Sequence, residues 1–124
     1  MLLAQDGAEP LSKETTGAEL MSSVILVLEV RRNLVRLARE SRLSSDQYKA
    51  CIERLEQDVE SFILRDVTLD LCRTGTLPAV STPRSLDLLH LRTALWFHEA
   101  ERIDRFVTLD AAQEQAAKEL GLPV

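Results

Sequence analysis

Three acids occupy positions where a carboxylate is unexpected. In "SLDLLHLRTALWF", Asp87 stands between leucines two residues after Ser85, which reads as a helix cap; Glu29 interrupts the apolar run of "SSVILVLEVRRNL"; and Asp110 closes "RFVTLD" just before the alanine-rich "AAQEQAAKEL". Carboxylates gathered in one place repel each other unless a cation lies between them. Hard oxygen ligands of this kind select Mg²⁺ or Mn²⁺ over zinc.

Each acid also has a plainer reading. On a helical wheel Glu29 falls with Arg32, Asn33 and Arg36, opposite Val27, Val30 and Leu34, which describes a solvated face with an i, i+3 ion pair. Asp110 precedes a helix and has Gln113 at the capping-box position, so it reads equally as an N-cap. Asp87 sits in a first turn, where the helix dipole favours an anion, yet Leu91 and Ala94 follow it at i+4 and i+7. That combination describes a partly buried acid with an assigned partner, and His90 is one turn along. A packed, hydrogen-bonded histidine is the simpler role for His90.

The surrounding elements alternate. "AELMSS" ends in a β-compatible piece, and a helix follows over 24–39. "RLSSDQ" breaks it, with Ser44 as N-cap and Gln47 in the capping-box position, and Tyr48, Cys51, Ile52, Leu55, Val59 and Phe62 then recur at helical spacing. The two helices read as a hairpin. Next come a strand in "FILRDV", a short helix in "TLDLCRTG" ended by Gly75, a loop with Pro78 and Pro83, and a helix from Ser85 through about His98. "RFVTLD" has the content of a strand, Gly121 stops the last helix, and "LPV" begins an edge strand. Strands separated by helices imply a parallel sheet covered on its faces, with ligands at the carboxyl ends of the strands.

Composition sets the outer bounds. A chain of 124 residues suits one domain burying roughly two thirds of its unfolded surface. Its 45% hydrophobic and 28% charged residues are those of a globular protein, and a net charge of −5 leaves no global basic field for nucleic acid or anionic membrane. The longest apolar run, Val24 to Leu28, is far short of the roughly 20 residues that cross a bilayer. With no signal-peptide pattern, and with Cys51 and Cys72 outside any CxxC spacing and inside helical apolar patterns, the expectation is a reduced cytoplasmic protein whose thiols are small core residues.

"SLDLLHLRTAL" followed by "RFVTLDAAQEQAAKELGLPV" resembles the C-terminal half of a PIN domain, the fold of VapC-type toxin ribonucleases, and "LMSSVILVLEVRRNLVRL" is similar to that family's second strand and acid-bearing helix. The resemblance covers almost the whole chain in order. It implies a three-layer α/β/α domain with a short parallel sheet, in which Glu29, Asp87 and Asp110 bind one or two Mg²⁺ or Mn²⁺ ions and serve cleavage of RNA phosphodiesters. It also implies a toxin of a toxin–antitoxin pair, with RNA as substrate, a cognate antitoxin as partner, a homodimer and no membrane association. Arg32, Arg36 and Arg39, on Glu29's helix face, either hold phosphates beside the metal or form only a solvated face, the simpler of the two, and Thr108 would turn its hydroxyl to the rim.

The resemblance departs at the N-terminus. PIN domains begin with a strand carrying an acid followed by Ser or Thr, whereas "MLLAQDGAEP" resembles the end of the family's first helix, and Asp6 before Gly7 is a poor substitute. The expectation is a single PIN-like domain over residues 1–124, truncated at its start. The alternative is a catalytically inactive relative acting as a binding or dimerisation module. A plain helical adaptor would require "RFVTLD" to be non-β.

Overall fold

The computed structural model describes residues 19–73, 77–82 and 84–124. Gly75, Asp6 and Pro83 lie outside them. Among the described residues the protein is mixed α/β: a two-stranded parallel sheet, β1 (Met21–Ser23) and β2 (Ile63–Arg65), and five helices. The helices are α1 (Ile25–Arg39), α2 (Ser45–Glu60), α3 (Leu69–Cys72), α4 (Ser85–Ala100) and α5 (Ala111–Glu119). None is long and apolar enough to cross a membrane. The described residues divide into two compact units, one over 24–64 with Glu19 and Leu20, the other combining Met21–Ser23 with those of 65–124.

The first unit is the expected hairpin. Val30, Leu34 and Leu55 are buried, and Leu26, Val27, Leu43, Tyr48, Cys51, Ile52 and Val59 pack around them, because both helices carry apolar residues at three- and four-residue spacing. Arg36 and Arg39 lie in the last turn of α1, where the helix dipole favours cations. The turn out of α1 is a Schellman motif: Ser41 donates its N–H to Ala38 O and Arg42 to Leu37 O. That motif needs a left-handed residue, here Ser41 at φ +59° rather than the usual glycine. Ser44 then caps α2 with the expected reciprocal pair, Gln47 N–H to Ser44 Oγ at 3.1 Å and Ser44 N–H to Gln47 Oε1 at 2.8 Å.

In the second unit α4 packs against β1, α3 and α5. The core is Leu91, Ala116, Ala117 and Leu122, ringed by Val80, Ala94, Leu95, Ile103, Phe106, Leu120 and Val124. Two adjacent alanines on α5 let its backbone approach Leu91 closely. This helix also ends in a Schellman motif, with Gly121 at φ +77° and N–H groups of Gly121 and Leu122 bonded to Lys118 O and Ala117 O. The buried Leu122 supplies the apolar contact that accompanies such turns. Arg65 stacks its guanidinium over Trp96 of α4 at 4.4 Å.

Three expectations change. Residues 105–110 and 122–124 form no strands; Phe106 N–H bonds Pro123 O at 2.6 Å instead of joining a ladder. Strand propensity measures fit to a sheet surface and yields to context. Cys72 is exposed, because one-turn α3 turns Leu71 inward and leaves its last residue outside. Finally, Ser85 is the first residue of α4 rather than its cap: Arg84 is extended at ψ 132°, and its carbonyl accepts the Leu88 N–H.

Candidate functional site

The loop before α4 is fixed first. Ser81 donates both its N–H and its hydroxyl to Glu119 Oε1, at 2.9 and 2.6 Å, tying the loop to the end of α5. This seats the next residue, Thr82, at 2% exposure. Its hydroxyl donates to Asp87 Oδ2 at 2.9 Å. Arg84 Nε donates to the same oxygen at 2.7 Å. A first-turn acid among leucines is therefore held by a buried hydroxyl and a guanidinium, and its side chain is only 17% exposed.

Asp110 is fixed from the other side. It is the N-cap of α5, and its Oδ1 accepts the Gln113 N–H at 2.9 Å. The other half of the expected capping box is replaced by a relay: Asp110 N–H donates to Thr108 Oγ1 at 3.1 Å, and the Thr108 hydroxyl donates to Gln113 Oε1 at 2.6 Å. Thr108 thus faces the base of α5. Asp110's remaining oxygen, Oδ2, accepts from Arg84 Nη2.

One guanidinium consequently bridges Asp87 and Asp110. The Gln113 N–H and the Arg84 bond hold the Asp110 carboxyl below the usual carboxylate range. The bond to Asp110, with the field of Asp87, raises Arg84 above an already high value. Sequence reasoning missed Arg84, although the i, i+3 spacing it applied to Glu29 and Arg32 applies equally to Arg84 and Asp87. The contact to Asp110 crosses 26 residues and carries no local signal.

Glu29 belongs to α1 of the first unit and is half-buried there. Arg32, Arg36 and Arg39 are exposed, and Arg36 lies 3.6 Å from Glu40. His90 is half-buried on α4. Among the described residues no group of three or more His, Cys, Asp or Glu is placed to hold a metal ion. The Asp87–Asp110 pair supplies two hard oxygens converging on one cation, with the Thr82 hydroxyl beside them.

No family model, no curated protein and no solved structure matches the chain.

Proposed function

We propose that this protein is a PIN-like, Mg²⁺- or Mn²⁺-dependent endoribonuclease in which Asp87 and Asp110 are metal-binding acids; the assignment of Glu29 to the metal rests on the resemblance alone. The observation that carries the reading is the convergence of Asp87 Oδ2 and Asp110 Oδ2, 23 residues apart in sequence, on a single cationic group. Asp110 is aimed by its cap bond and Asp87 by Thr82, so both carboxylates are positioned by groups that remain if the cation changes. When bound, a divalent ion would lower the pKa of a coordinated water and offset charge building on the phosphodiester. Arg32, Arg36 and Arg39 would contact the RNA backbone. The three-layer fold, the toxin role, an antitoxin partner and a homodimer rest on the resemblance alone.

A second reading, a non-catalytic binding module, is favoured by Arg84 standing between the two acids and by the lack of a strand over 105–110, which also satisfies the condition for a helical adaptor. Incubation of a labelled single-stranded RNA with the chain and Mn²⁺ separates the two. Cleavage that EDTA stops and Asp87→Asn abolishes supports the nuclease. Intact RNA under all conditions, with unchanged melting in Mn²⁺, leaves the binding module.

A further inference from the structure

We propose that the second unit carries a separate binding site, a cavity beside Arg92 that takes a small organic monocarboxylate with an apolar tail. Asp87, Asp110 and Arg84 do not line it, so it stands or falls apart from the reading above. Three pieces of the second unit build the cavity, which offers about 250 Å³. Arg92, Leu95 and Glu99 share one face of α4 at three- and four-residue spacing. Glu119 and Leu120 come from the end of α5, and Leu77 and Pro78 from the loop that Ser81 ties to Glu119. Small-molecule sites are mostly apolar with a few polar groups and span roughly 300–1,000 Å³, so this one suits a ligand at the small end.

An unpartnered donor points to that ligand. The Arg92 side chain is only 15% exposed, and its Nη1 is buried with no hydrogen-bond partner among the described residues. Nη2 lies 3.7 Å from Asp70 Oδ2, beyond hydrogen-bond length, and Asp70 itself is 78% exposed to water. A buried guanidinium with a donor left over destabilises the fold unless something supplies the missing acceptor. A carboxylate does so best, because its two oxygens match the guanidinium fork. Rotation about the terminal torsions of Arg92 brings Nη1 to such a group without moving α4.

The neighbouring acids set the ligand's charge. Glu119 is already bonded to Ser81 and Glu99 is exposed, so neither needs a partner, and the guanidinium alone calls for an anion rather than a cation. With two acids and one guanidinium around the cavity, a phosphate dianion would meet more repulsion than attraction. A monocarboxylate places its single charge at the one free donor, and Leu77, Pro78, Leu95 and Leu120 cover its tail.

Hexanoate is the probe, added to the full chain and followed by the amide and arginine Nε signals in proton–nitrogen correlation spectra, with hexanol, hexylammonium and inorganic phosphate beside it. Hexanoate should move the signals of Arg92, Leu95 and Leu120 and bind at least about tenfold more tightly than hexanol, the difference expected of one charge-assisted hydrogen bond. Hexylammonium and phosphate should leave those signals in place. Arg92→Met keeps an unbranched stem without the unpaired donor; it should weaken hexanoate binding by about tenfold or more and melt no lower than wild type. Absence of hexanoate binding, equal affinity for hexanol, or preference for hexylammonium or phosphate would overturn the proposal, as would unchanged affinity in Arg92→Met. Should Arg92→Met fail to fold, Leu77→Trp decides, because it fills the cavity from the loop and keeps Arg92. Loss of hexanoate binding in that variant supports the site, and retained binding overturns it by placing the probe elsewhere.

Discussion

The α1–α2 hairpin and the second unit are held by contacts of different reach. In the hairpin the capping box closes over three residues, the Arg54–Asp58 pair over four, and the buried Val30, Leu34 and Leu55 sit on two helices joined by one short turn. In the second unit Ser81 reaches Glu119 across 38 residues and Arg84 reaches Asp110 across 26. Local contacts form with little loop-closure entropy, whereas distant ones require the chain to be folded first. A hairpin can be built from helix periodicity alone. A pair of acids on one guanidinium can be built only by a folded unit, and this pair lies in the second.

The largest effects should come from the two cores. Leu34 and Leu91 are both fully buried, and truncation of either to alanine is expected to cost about 2–5 kcal/mol. Leu91 packs on Ala116 and Ala117, which have no side chain to move into the space, so its cavity should collapse less and its loss should fall at the upper end. The chain carries one tyrosine and one tryptophan, Tyr48 in the hairpin and Trp96 on α4. Urea unfolding followed by each should show Leu34→Ala lowering the Tyr48 midpoint and Leu91→Ala the Trp96 midpoint. Equal and small shifts from both would mean that neither leucine anchors its unit.

The two Schellman turns sharpen the contrast at smaller scale. A non-glycine residue in left-handed backbone costs roughly 1–2 kcal/mol. Gly121→Ala meets nothing within 4 Å, so the penalty is purely conformational, and a net loss of about 1 kcal/mol is expected after the unfolded chain's lost freedom is counted. Ser41→Gly should act in reverse, stabilising the hairpin by about 0.5 kcal/mol because the strain at φ +59° is relieved. Ser44→Ala, three residues on, removes the capping box and should cost about 1 kcal/mol. Thermal melts of the three variants would check both signs. A destabilised Ser41→Gly would show that this turn has its own reason for serine.

What could be read from the sequence follows the same division. The hairpin, the Ser44–Gln47 box, the Gly121 stop and the Asp110 cap are each encoded within a few residues, by apolar spacing or by a side chain beside the N–H that it accepts. The start of α4 was misplaced by one residue because serine is the common cap, while here the backbone turns at Arg84. Residues 105–110 have strand-forming types but no ladder. The Arg84 bridge was invisible because its far partner is set by how α5 returns to α4. The convergence of Asp87 with Asp110 is expected from the alternation of strands and helices as well as from the resemblance, and Arg84 is the residue that links them.

The smallest expected effect concerns the Asp110 carboxyl and can be resolved by pH. Its folded pKa lies below the ordinary value because the Gln113 N–H and then Arg84 bond its charged form. A depressed folded pKa means that the contribution to stability is fully present above the unfolded value, about 4 for an aspartate, and is lost as pH falls through the lower folded value. Asp110→Asn keeps a capping oxygen for Gln113 but cannot titrate. Wild type should therefore be the more stable at pH 6, and its margin over Asp110→Asn should shrink between pH 5 and pH 2. Arg84→Ala should keep part of this pH dependence, because the Gln113 N–H still bonds the charged Asp110 carboxylate. Added salt should weaken the Arg84 share more than the Gln113 share, because the guanidinium is exposed. Parallel loss of stability in wild type and Asp110→Asn across that pH range would show that the bridge in the second unit contributes nothing to its folding, and that the contrast with the hairpin rests on the apolar cores alone.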